Sequence, residues 1–482
     1  MSLTKIIGVY ASSNMYGKLC GALNTFVKPK LLKPELYGTW NAMALVALFP
    51  TFLHLGSRKA MMYQVPYYSA LGDEERCQQI ISDVYFGTMI PTTIVALGVL
   101  GYALLADLTL LWRVGLVVVA WGIVLQCQFD FRYDALMATK RFDVLSKVNM
   151  YRATLSLALN VALIWYFKLY GLFASFLAAL VFSVFYCHRY GNIPIHRMFS
   201  FRRYLALIKS GLPIMLYNST NELLSSMGNV VVATMLGSKQ LGYYALTELV
   251  FHFLMQIPED ARDVMDPHMM HQVAEKNQDL IEQFFFTPLV LTAWLMPFLI
   301  GVSYYAVPLA VEWVLPDYLP SVPPIRIVVL GSFLYALAIT CRGIIVANNQ
   351  QARAAGLVAI ALATDLGLGA LFVKLGMGIE GVALAVIAAF LLQTFLLFTF
   401  VKRVTATPLG VFLRKISLVL PPALIMLGCI GAMLCFKPFP NVPMLSEVTS
   451  LVIFCVVMYA SLYLASRRLP VLKRTPLLSF LP

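Results

Sequence analysis

The stretch Leu32-Lys-Pro-Glu-Leu-Tyr-Gly38 closes the first hydrophobic hairpin of the chain, and the related stretch Leu236-Gly-Ser-Lys-Gln-Leu-Gly242 closes another hairpin near the middle. The two stretches are 204 residues apart. The same separation relates further residues within hydrophobic segments: Asn14 to Asn218, Arg58 to Arg262, and Lys18 to Glu222. The chain therefore consists of two related halves that carry ionisable residues at matching depths. This arrangement is typical of membrane transporters, in which intramembrane charges mark substrate or ion pathways.

The composition places the rest of the chain in lipid. Of 482 residues, 60% are hydrophobic and 12% are charged, and the mean hydropathy is +0.79. A soluble domain is about half apolar and a quarter charged. The apolar segments are continuous and do not alternate with period two, which favours helices over a barrel. The net charge of +13 is spread over short loops, so the sequence predicts no nucleic-acid binding.

The apolar segments predict an all-α, polytopic membrane protein with about fourteen transmembrane helices. Spans 1–6 and 7–12 form two parallel repeats, and two further helices follow at the C-terminal end. The predicted organisation is a six-helix bundle, a basic cytoplasmic linker, a second six-helix bundle, and two last helices with a basic tail, over residues 1–190, 191–210, 211–403 and 404–482. Two cytoplasmic segments, Ser57 to Ile80 and Pro258 to Gln283, are predicted to form short amphipathic helices at the membrane interface.

Orientation follows from the positive charges. Lys and Arg are far more frequent in the terminal segments and in every second loop than in the other loops, which predicts that both termini are cytoplasmic. The first span has no cleavage site after a compact apolar region, so we expect a retained helix and no signal peptide. The eight cysteines form no CxxC pair, so nothing in their spacing argues for disulfides or a metal site.

Local motifs carry a resemblance to a known family. The two hairpin closures resemble the L-G-x-x-x-[YL]-G turn in each half of polysaccharide flippases, with Lys33 where glycine is usual. The start of their seventh helix has the pattern hG-hP, where h is a hydrophobic residue, and it is similar to Lys209-Ser-Gly-Leu-Pro-Ile214. Over essentially its whole length the chain resembles the O-antigen (Wzx-type) flippases of the multidrug/oligosaccharidyl-lipid/polysaccharide exporter (MOP) superfamily.

The resemblance implies two six-helix bundles around a central cavity. It implies a flippase that moves an undecaprenyl-diphosphate-linked oligosaccharide to the periplasmic leaflet of the bacterial inner membrane by alternating access. We therefore expect no enzyme activity, no catalytic residue, no metal and no cofactor. Expected partners are the polyprenyl-diphosphate-linked oligosaccharide, membrane lipid and a coupling ion, H+ or Na+. A polysaccharide polymerase and a chain-length regulator of O-antigen and lipopolysaccharide biosynthesis are further candidates.

A diphosphate needs cations in a water-filled cavity, which Lys or Arg supplies. Lys18 lies midway along the first span, where a charge costs roughly 2.5–3.5 kcal/mol on insertion scales. We interpret Lys18 as a phosphate-binding cation, and the alternative is a structural ion pair with Glu222. Asn14 and Asn218 each lie one turn before these charges and complete the predicted polar stripes of the cavity.

The remaining site candidates have two interpretations each. Arg58 and Arg262 either hold the diphosphate at the mouth of the cavity or set the topology. Arg152 either contacts substrate or extends to the cytoplasmic interface. The ion-coupling candidates within spans are Glu222, Asp365, Glu248 and His252. The alternative for Glu222 is a purely structural role, and the alternative for Glu248 and His252 is a satisfied buried pair.

Two transport alternatives remain open, a multidrug/cation antiporter and a lipid II flippase of the same superfamily. The alternative of another class is a membrane polysaccharide polymerase or ligase. Such enzymes usually carry a large periplasmic loop with Arg or His, whereas the largest outward loop predicted here, Ser303 to Pro323, has neither.

Overall fold

The computed structural model describes residues 16–21, 23–24, 26–193, 195–196, 198–274, 278–405, 407–436 and 443–468. Within these ranges the regular secondary structure consists of α-helices and short 3-10 helices. The chain divides into two compact units, Met1–Ser219 and Thr220–Pro482. The predicted all-α, polytopic fold is confirmed.

The first unit contains the helices up to the first part of the seventh. In chain order they are α1 (residues 16–31, apart from 22 and 25), α2 (Pro34–Leu48) with a 3-10 extension (Phe49–His54), α3 (Ser57–Ala70), α4 (Glu74–Leu105), α5 (Leu110–Ala138) and α6 (Phe142–Gly191). Helix α7 (Phe201–Met235) starts in the first unit and ends in the second.

The second unit contains the remaining helices. They are α8 (Ser238–Ala274), α9 (Gln278–Val314) with a following 3-10 helix (Pro316–Ser321), α10 (Val322–Ile339), α11 (Arg342–Ala347), α12 (Gln351–Lys374), α13 (Gly378–Val404), α14 (Leu409–Ile416), α15 (Leu420–Cys435) and α16 (Pro443–Arg468).

Helix α6 is a hairpin of two helical limbs. Its backbone leaves the helical region at Lys168, where φ is 51° and ψ is −125°. Beyond that break, the Ser175 hydroxyl donates a hydrogen bond to Asn160 Oδ1 at 2.6 Å, and the rings of Tyr151 and Tyr186 lie 5.5 Å apart. These contacts join residues far apart in sequence, so the limbs run antiparallel. They correspond to the fifth and sixth predicted spans.

Nine helical stretches among the described residues are long and apolar enough to cross a bilayer, and α6 with its two limbs counts as one of them. Helix α15 is a shorter apolar helix, and most of the first predicted span lies outside the described residues. Helices α7 and α8, predicted as spans seven and eight, are not among the nine because polar residues interrupt their hydrophobic sequence: Asn218, Glu222, Glu248 and His252. These two helices therefore carry much of the predicted site.

Of the two predicted interfacial helices, the structure contains one as a separate helix and not the other. The segment after the second span forms α3, as predicted. The segment from Pro258 to Gln283 was predicted as a separate short helix, and this is wrong, because α8 continues unbroken to Ala274. A change from apolar to charged sequence marks where the membrane ends, whereas a helix ends only where its backbone hydrogen bonds end. Similarly, much of the predicted loop from Ser303 to Pro323 is helical, in α9 and the 3-10 helix after it.

Helix α4 holds the segment before α7 through a buried carboxylate. Asp83 is fully buried. It accepts hydrogen bonds from the Ser200 N–H at 2.7 Å and from Arg203 Nε at 2.7 Å. The adjacent Ser82 hydroxyl accepts from the His196 N–H at 3.0 Å. Hydrogen bonds to an ionised group are stronger than neutral ones, so they fix the start of α7 on the first unit.

The first part of α7 also packs against the start of α3 backbone to backbone. Gly56 precedes α3 with φ of 84°, a left-handed conformation that favours glycine. A Cβ atom on Gly211 would lie 2.0 Å from the carbonyl oxygen of Gly56. Only glycine at both positions permits this approach.

In the second unit, the last helix α16 packs on α9 and α10. The ring of Phe454 fills the space at Gly301, where a Cβ atom would lie 1.8 Å from the ring. Arg326 Nη2 donates to Glu447 Oε1 at 2.5 Å, and the guanidinium lies 5.0 Å from the centre of the Tyr304 ring. The helices that follow the predicted repeat are thus anchored to the second unit.

Candidate functional site

Lys18, the first candidate from the sequence, lies in α1 with an exposed side chain. A buried polar network fixes α1 against both limbs of α6. Asn160, which is 2% exposed, donates to Asn24 Oδ1 at 3.0 Å and accepts from the Ser175 hydroxyl at 2.6 Å. Buried amides need such partners, so the network sets the rotation of α1 and with it the direction of Lys18.

Two candidates lie beyond the description: Asn14 is outside the described residues, and so is the side chain of Arg262. In α7, Glu222 is exposed and Asn218 is half-buried. The pairing of Lys18 with Glu222 stays a prediction.

Arg58 is held by two carboxylates of α5. Its Nε and Nη2 atoms each lie 2.7 Å from Asp134 Oδ2, and its Nη1 atom lies 3.5 Å from Asp130 Oδ2. The side chains of Arg58 and Asp134 are only 13% and 11% exposed. The arginine charge is therefore neutralised within the first unit, which weakens the interpretation that Arg58 holds a diphosphate.

Sequence reasoning missed the carboxylates that neutralise Arg58. Asp130 and Asp134 follow Gln126 at intervals of one helical turn, so the three side chains lie on one face of α5. The amide of Gln126 donates to Asp130 Oδ1 at 2.6 Å. This one-turn spacing inside an apolar helix was the signal that could have revealed them.

Arg152 belongs to the same cluster. Its Nη2 atom lies 3.4 Å from Gln126 Oε1, and its guanidinium lies 4.3 Å from the centre of the Phe129 ring. Stacking over an aromatic ring stabilises a half-buried cation. Arg152 therefore lies against α5, which argues for a structural role rather than extension to the cytoplasmic interface.

A cavity of about 240 Å³ adjoins this cluster inside the first unit. Its walls come from α2 and the following 3-10 helix, the start of α3, α4, α5 and the second limb of α6. One part is aromatic and aliphatic, with Trp40, Ala44 and Phe176. The other part is polar, with His54, Arg58, Gln126, Asp130 and Thr92.

In the second unit, Glu248 and His252 form a pair on α8, with His252 Nε2 3.4 Å from Glu248 Oε1. The histidine side chain is 48% exposed and the glutamate 16%. A further contact joins α7 to α13, because the Gln393 amide donates to Asn221 Oδ1 at 2.7 Å.

Asp365 in α12 is 1% exposed, and among the described residues neither of its carboxylate oxygens has a hydrogen-bond partner. Four more buried side-chain oxygens of the unit are equally unpartnered within the described ranges: Asn229 Oδ1 in α7, Thr247 Oγ1 in α8, Tyr305 Oη in α9 and Gln393 Oε1 in α13. One turn after Asp365, a Cβ atom on Gly369 would lie 3.5 Å from Val231 of α7 and 3.8 Å from Ala385 of α13. The carboxylate therefore lies in a helix packed between α7 and α13.

An unpaired buried carboxylate is costly as an anion, so it binds a proton or a cation. Buried oxygens without donors are also the ligands that hard cations prefer. The second unit thus contains a group whose charge state can respond to an ion.

Comparison with known proteins identifies the family. The family described as "Polysaccharide biosynthesis protein" matches residues 30–323, more than half of the chain. The chain belongs to this family. No curated protein matches it.

Solved structures share the fold of this polysaccharide biosynthesis protein. An inward-facing multidrug resistance MATE transporter of the MOP superfamily aligns with a TM-score of 0.66 at 12% identity, over 84% of this chain and 96% of that one. The lipid II flippase MurJ in an inward closed conformation aligns with a TM-score of 0.63 at 16% identity, over 94% and 98%. A MOP superfamily transporter from Pyrococcus furiosus, whose binding pocket has reversed polarity, aligns with a TM-score of 0.57 at 13% identity, over 83% and 96%.

At these identities the structures show the fold alone, and the family match assigns that fold to polysaccharide biosynthesis. Together they confirm the predicted resemblance: the chain belongs to a polysaccharide biosynthesis family and has the fold of MOP superfamily transporters.

Proposed function

We propose that this protein is a flippase for an undecaprenyl-diphosphate-linked oligosaccharide, an O-antigen or related surface-polysaccharide unit. It moves this lipid from the cytoplasmic to the periplasmic leaflet by alternating access, without enzyme activity. The observation that carries the proposal is a family of polysaccharide biosynthesis on a fold shared with MATE transporters and the lipid II flippase. A biosynthetic protein with a transporter fold fits the step that carries a finished unit across the membrane.

The family match favours this substrate over that of a multidrug/cation antiporter. A lipid II flippase is the closer alternative, because the similarity to MurJ covers 94% of the chain. A polymerase or ligase is disfavoured by the transporter fold. The host membrane is proposed to be the bacterial inner membrane, with both termini cytoplasmic, and the repeat of two six-helix bundles remains part of the proposal.

Lys18 is proposed to bind the diphosphate. Its side chain is exposed on a helix held rigidly by Asn160, and an ammonium group binds phosphate as a point charge. Arg58 and Arg152 are proposed to support the first unit instead, because their charges are met by Asp134, Asp130 and the Phe129 ring.

Asp365 is proposed to couple transport to H+ or Na+. It is a buried carboxylate without a hydrogen-bond partner among the described residues, and a bound ion relieves the cost of its charge. Glu248 and His252 are a second candidate, because a histidine beside a carboxylate can carry a proton. Glu222 completes the proposed polar stripe of α7.

The test follows the lipid-linked oligosaccharide in a strain deleted for this gene. The oligosaccharide is labelled, and the membrane leaflet that holds it is determined with and without the restored gene. We expect accumulation on the cytoplasmic leaflet that restoration relieves. If instead the oligosaccharide crosses the membrane normally in the deleted strain and unpolymerised units accumulate outside, the protein acts after translocation, as a polymerase or ligase would.

A further inference from the structure

The cavity of the first unit is distinct from the proposed diphosphate site at Lys18, because α1 contributes no residue to its walls in the described part of the chain. At about 240 Å³ it is smaller than the roughly 300–1,000 Å³ of sites for drug-sized ligands. It could also hold about eight water molecules at about 30 Å³ each. The chemistry of its walls decides which contents fit.

The charges at the polar end of the cavity balance one another. Arg58 and Arg152 face Asp134 and Asp130 within one cluster. Of this cluster, Arg58 and Asp130 line the cavity itself, so a phosphate placed there would meet the Asp130 carboxylate and a cation would meet the Arg58 guanidinium. The cluster therefore disfavours an ion of either sign and favours a neutral ligand.

The same end offers hydrogen bonds of both kinds. His54 Nδ1 accepts from the Gly56 N–H at 2.9 Å, so the neutral ring carries its proton on Nε2 as a donor. Asp130 is an acceptor with a side chain 24% exposed, and Gln126 and Thr92 carry further polar groups in the wall. A purely aliphatic ligand, such as a polyprenyl segment, would offer no hydrogen bond to the polar atoms that face the cavity, and covering such atoms without a partner is costly.

The opposite end is built from flat apolar surfaces. The rings of Trp40 and Phe176 meet edge to face with centroids 5.3 Å apart. Gly122 lets the Phe176 ring pack directly on α5, because a Cβ atom there would lie 2.6 Å from that ring. Aromatic faces pack against apolar surface while neighbouring polar groups hydrogen-bond.

We propose that this cavity binds one neutral sugar ring of the transported oligosaccharide, with its C–H face on Trp40 and Phe176 and its hydroxyls on Asp130, Gln126 and His54. A sugar ring is small, uncharged, apolar on its faces and polar around its edge, and each of these properties matches a wall of the cavity. This inference rests on the proposed function and adds a subsite that selects the glycan apart from the diphosphate.

The test measures glycan binding directly. The full-length protein in lipid nanodiscs is mixed with the oligosaccharide released by mild acid from the polyprenyl-linked pool of the host. Saturation-transfer-difference NMR then reports which sugar protons contact the protein, even at millimolar affinity. We expect the strongest transfer to the protons of one neutral sugar residue.

Variants locate the contact. Ala44→Phe fills the cavity and should abolish the transfer, and Trp40→Ala should weaken binding about fivefold through loss of an aromatic contact of about 1 kcal/mol. The matched control is Trp121→Ala, because Trp121 is 59% exposed and lines a separate groove with Leu97 and Ala120. Size-exclusion profiles check folding, and Gln126→Leu replaces Ala44→Phe if the larger side chain prevents folding.

Several outcomes would overturn the inference. Transfer that persists in Ala44→Phe, or in Gln126→Leu when that variant is needed, places the sugar elsewhere. If no saturation transfer from the wild-type protein to the oligosaccharide is seen, the cavity holds water. Displacement of the sugar signal by farnesyl phosphate, with transfer to its chain, assigns the cavity to the lipid tail.

The leaflet assay separates this inference from the proposed function. If restoration of the gene relieves accumulation but cavity variants leave glycan binding unchanged, the sugar subsite is wrong and the flippase stands. If the lipid-linked oligosaccharide crosses without the gene while Trp40→Ala still weakens glycan binding, the flippase is wrong and the sugar subsite stands.

Discussion

Replacing Asp134 with alanine should destabilise the first unit by about 3–5 kcal/mol, the usual cost of removing one partner of a buried ion pair. Nε and Nη2 of Arg58 both lie 2.7 Å from Asp134 Oδ2. The arginine side chain is 13% exposed, so water screens little of its charge. Its other carboxylate partner, Asp130, is 3.5 Å away and also bonds to Gln126, so it compensates only in part.

Thermal unfolding of the purified protein in nanodiscs measures this loss. For a unit of about 200 residues, 1 kcal/mol corresponds to roughly 2–4 °C, so the Tm of Asp134→Ala should fall by roughly 6 °C or more. The double variant Arg58→Met with Asp134→Leu removes both charges and should recover most of the loss, because apolar residues of similar volume replace buried pairs well. The control Asp143→Ala breaks the exposed pair with Arg141, in which the aspartate is 63% exposed, and should change stability by less than about 1 kcal/mol.

Two results would refute this reasoning. A wild-type Tm for Asp134→Ala would show that the Arg58 charge is compensated without Asp134. A double variant that is as stable as the wild type but fails to relieve cytoplasmic accumulation would show that Arg58 serves the substrate after all.

Three further predictions address other parts of the molecule. Lys18→Ala should abolish surface polysaccharide with the protein still in the membrane, whereas Lys18→Arg should retain part of it; normal polysaccharide from Lys18→Ala would contradict a role in diphosphate binding. Asp365→Asn should leave the Tm unchanged or higher, because it removes an unpaired buried charge, and should abolish the dependence of flipping on an imposed H+ or Na+ gradient in vesicles; persistence of that dependence would exclude Asp365 as the coupling group. Gly211→Ala should lower the Tm by the equivalent of about 1–3 kcal/mol or more, because its Cβ would lie 2.0 Å from the Gly56 carbonyl oxygen. The control Gly428→Ala, with no heavy atom within 4 Å of its Cβ, should be neutral or stabilising by about 0.5–1 kcal/mol, and equal effects of the two substitutions would refute the close packing.

The all-α fold could be predicted because a continuous apolar run of about 20 residues has few alternatives in lipid. Hydropathy alone could not give the helix ends. It changes where the bilayer ends, so α8 was expected to stop near Pro258, although its hydrogen bonds continue to Ala274. Conversely, the sequence correctly indicated two spans where α6 reverses at Lys168, because a single non-helical residue separates its two limbs.

The sequence could single out charged residues inside apolar runs, such as Lys18 and Asp365, whose roles stay predictions. Which charged residues pair with each other was harder to predict, because Arg58 and Asp134 are distant in sequence and come into contact through the packing of α3 against α5. A charge that looks costly in isolation can be neutral in the fold. The cavity beside Trp40 was equally hard to predict, since its walls come from five α-helices and a 3-10 helix.

The ion pair between Asp83 and Arg203 affects when the first unit can fold during synthesis. The first unit includes residues up to Ser219, and its helix α4 has a fully buried carboxylate, Asp83, whose hydrogen-bond partners in the described part of the chain are the Ser200 N–H and Arg203. During synthesis, a nascent chain that ends at Gly191 therefore carries an unsatisfied anion within α4 and lacks the glycine of α7 that packs on Gly56. The first unit can therefore complete its folding only after the ribosome has made the first part of α7, so its maturation waits for a helix that continues into the second unit.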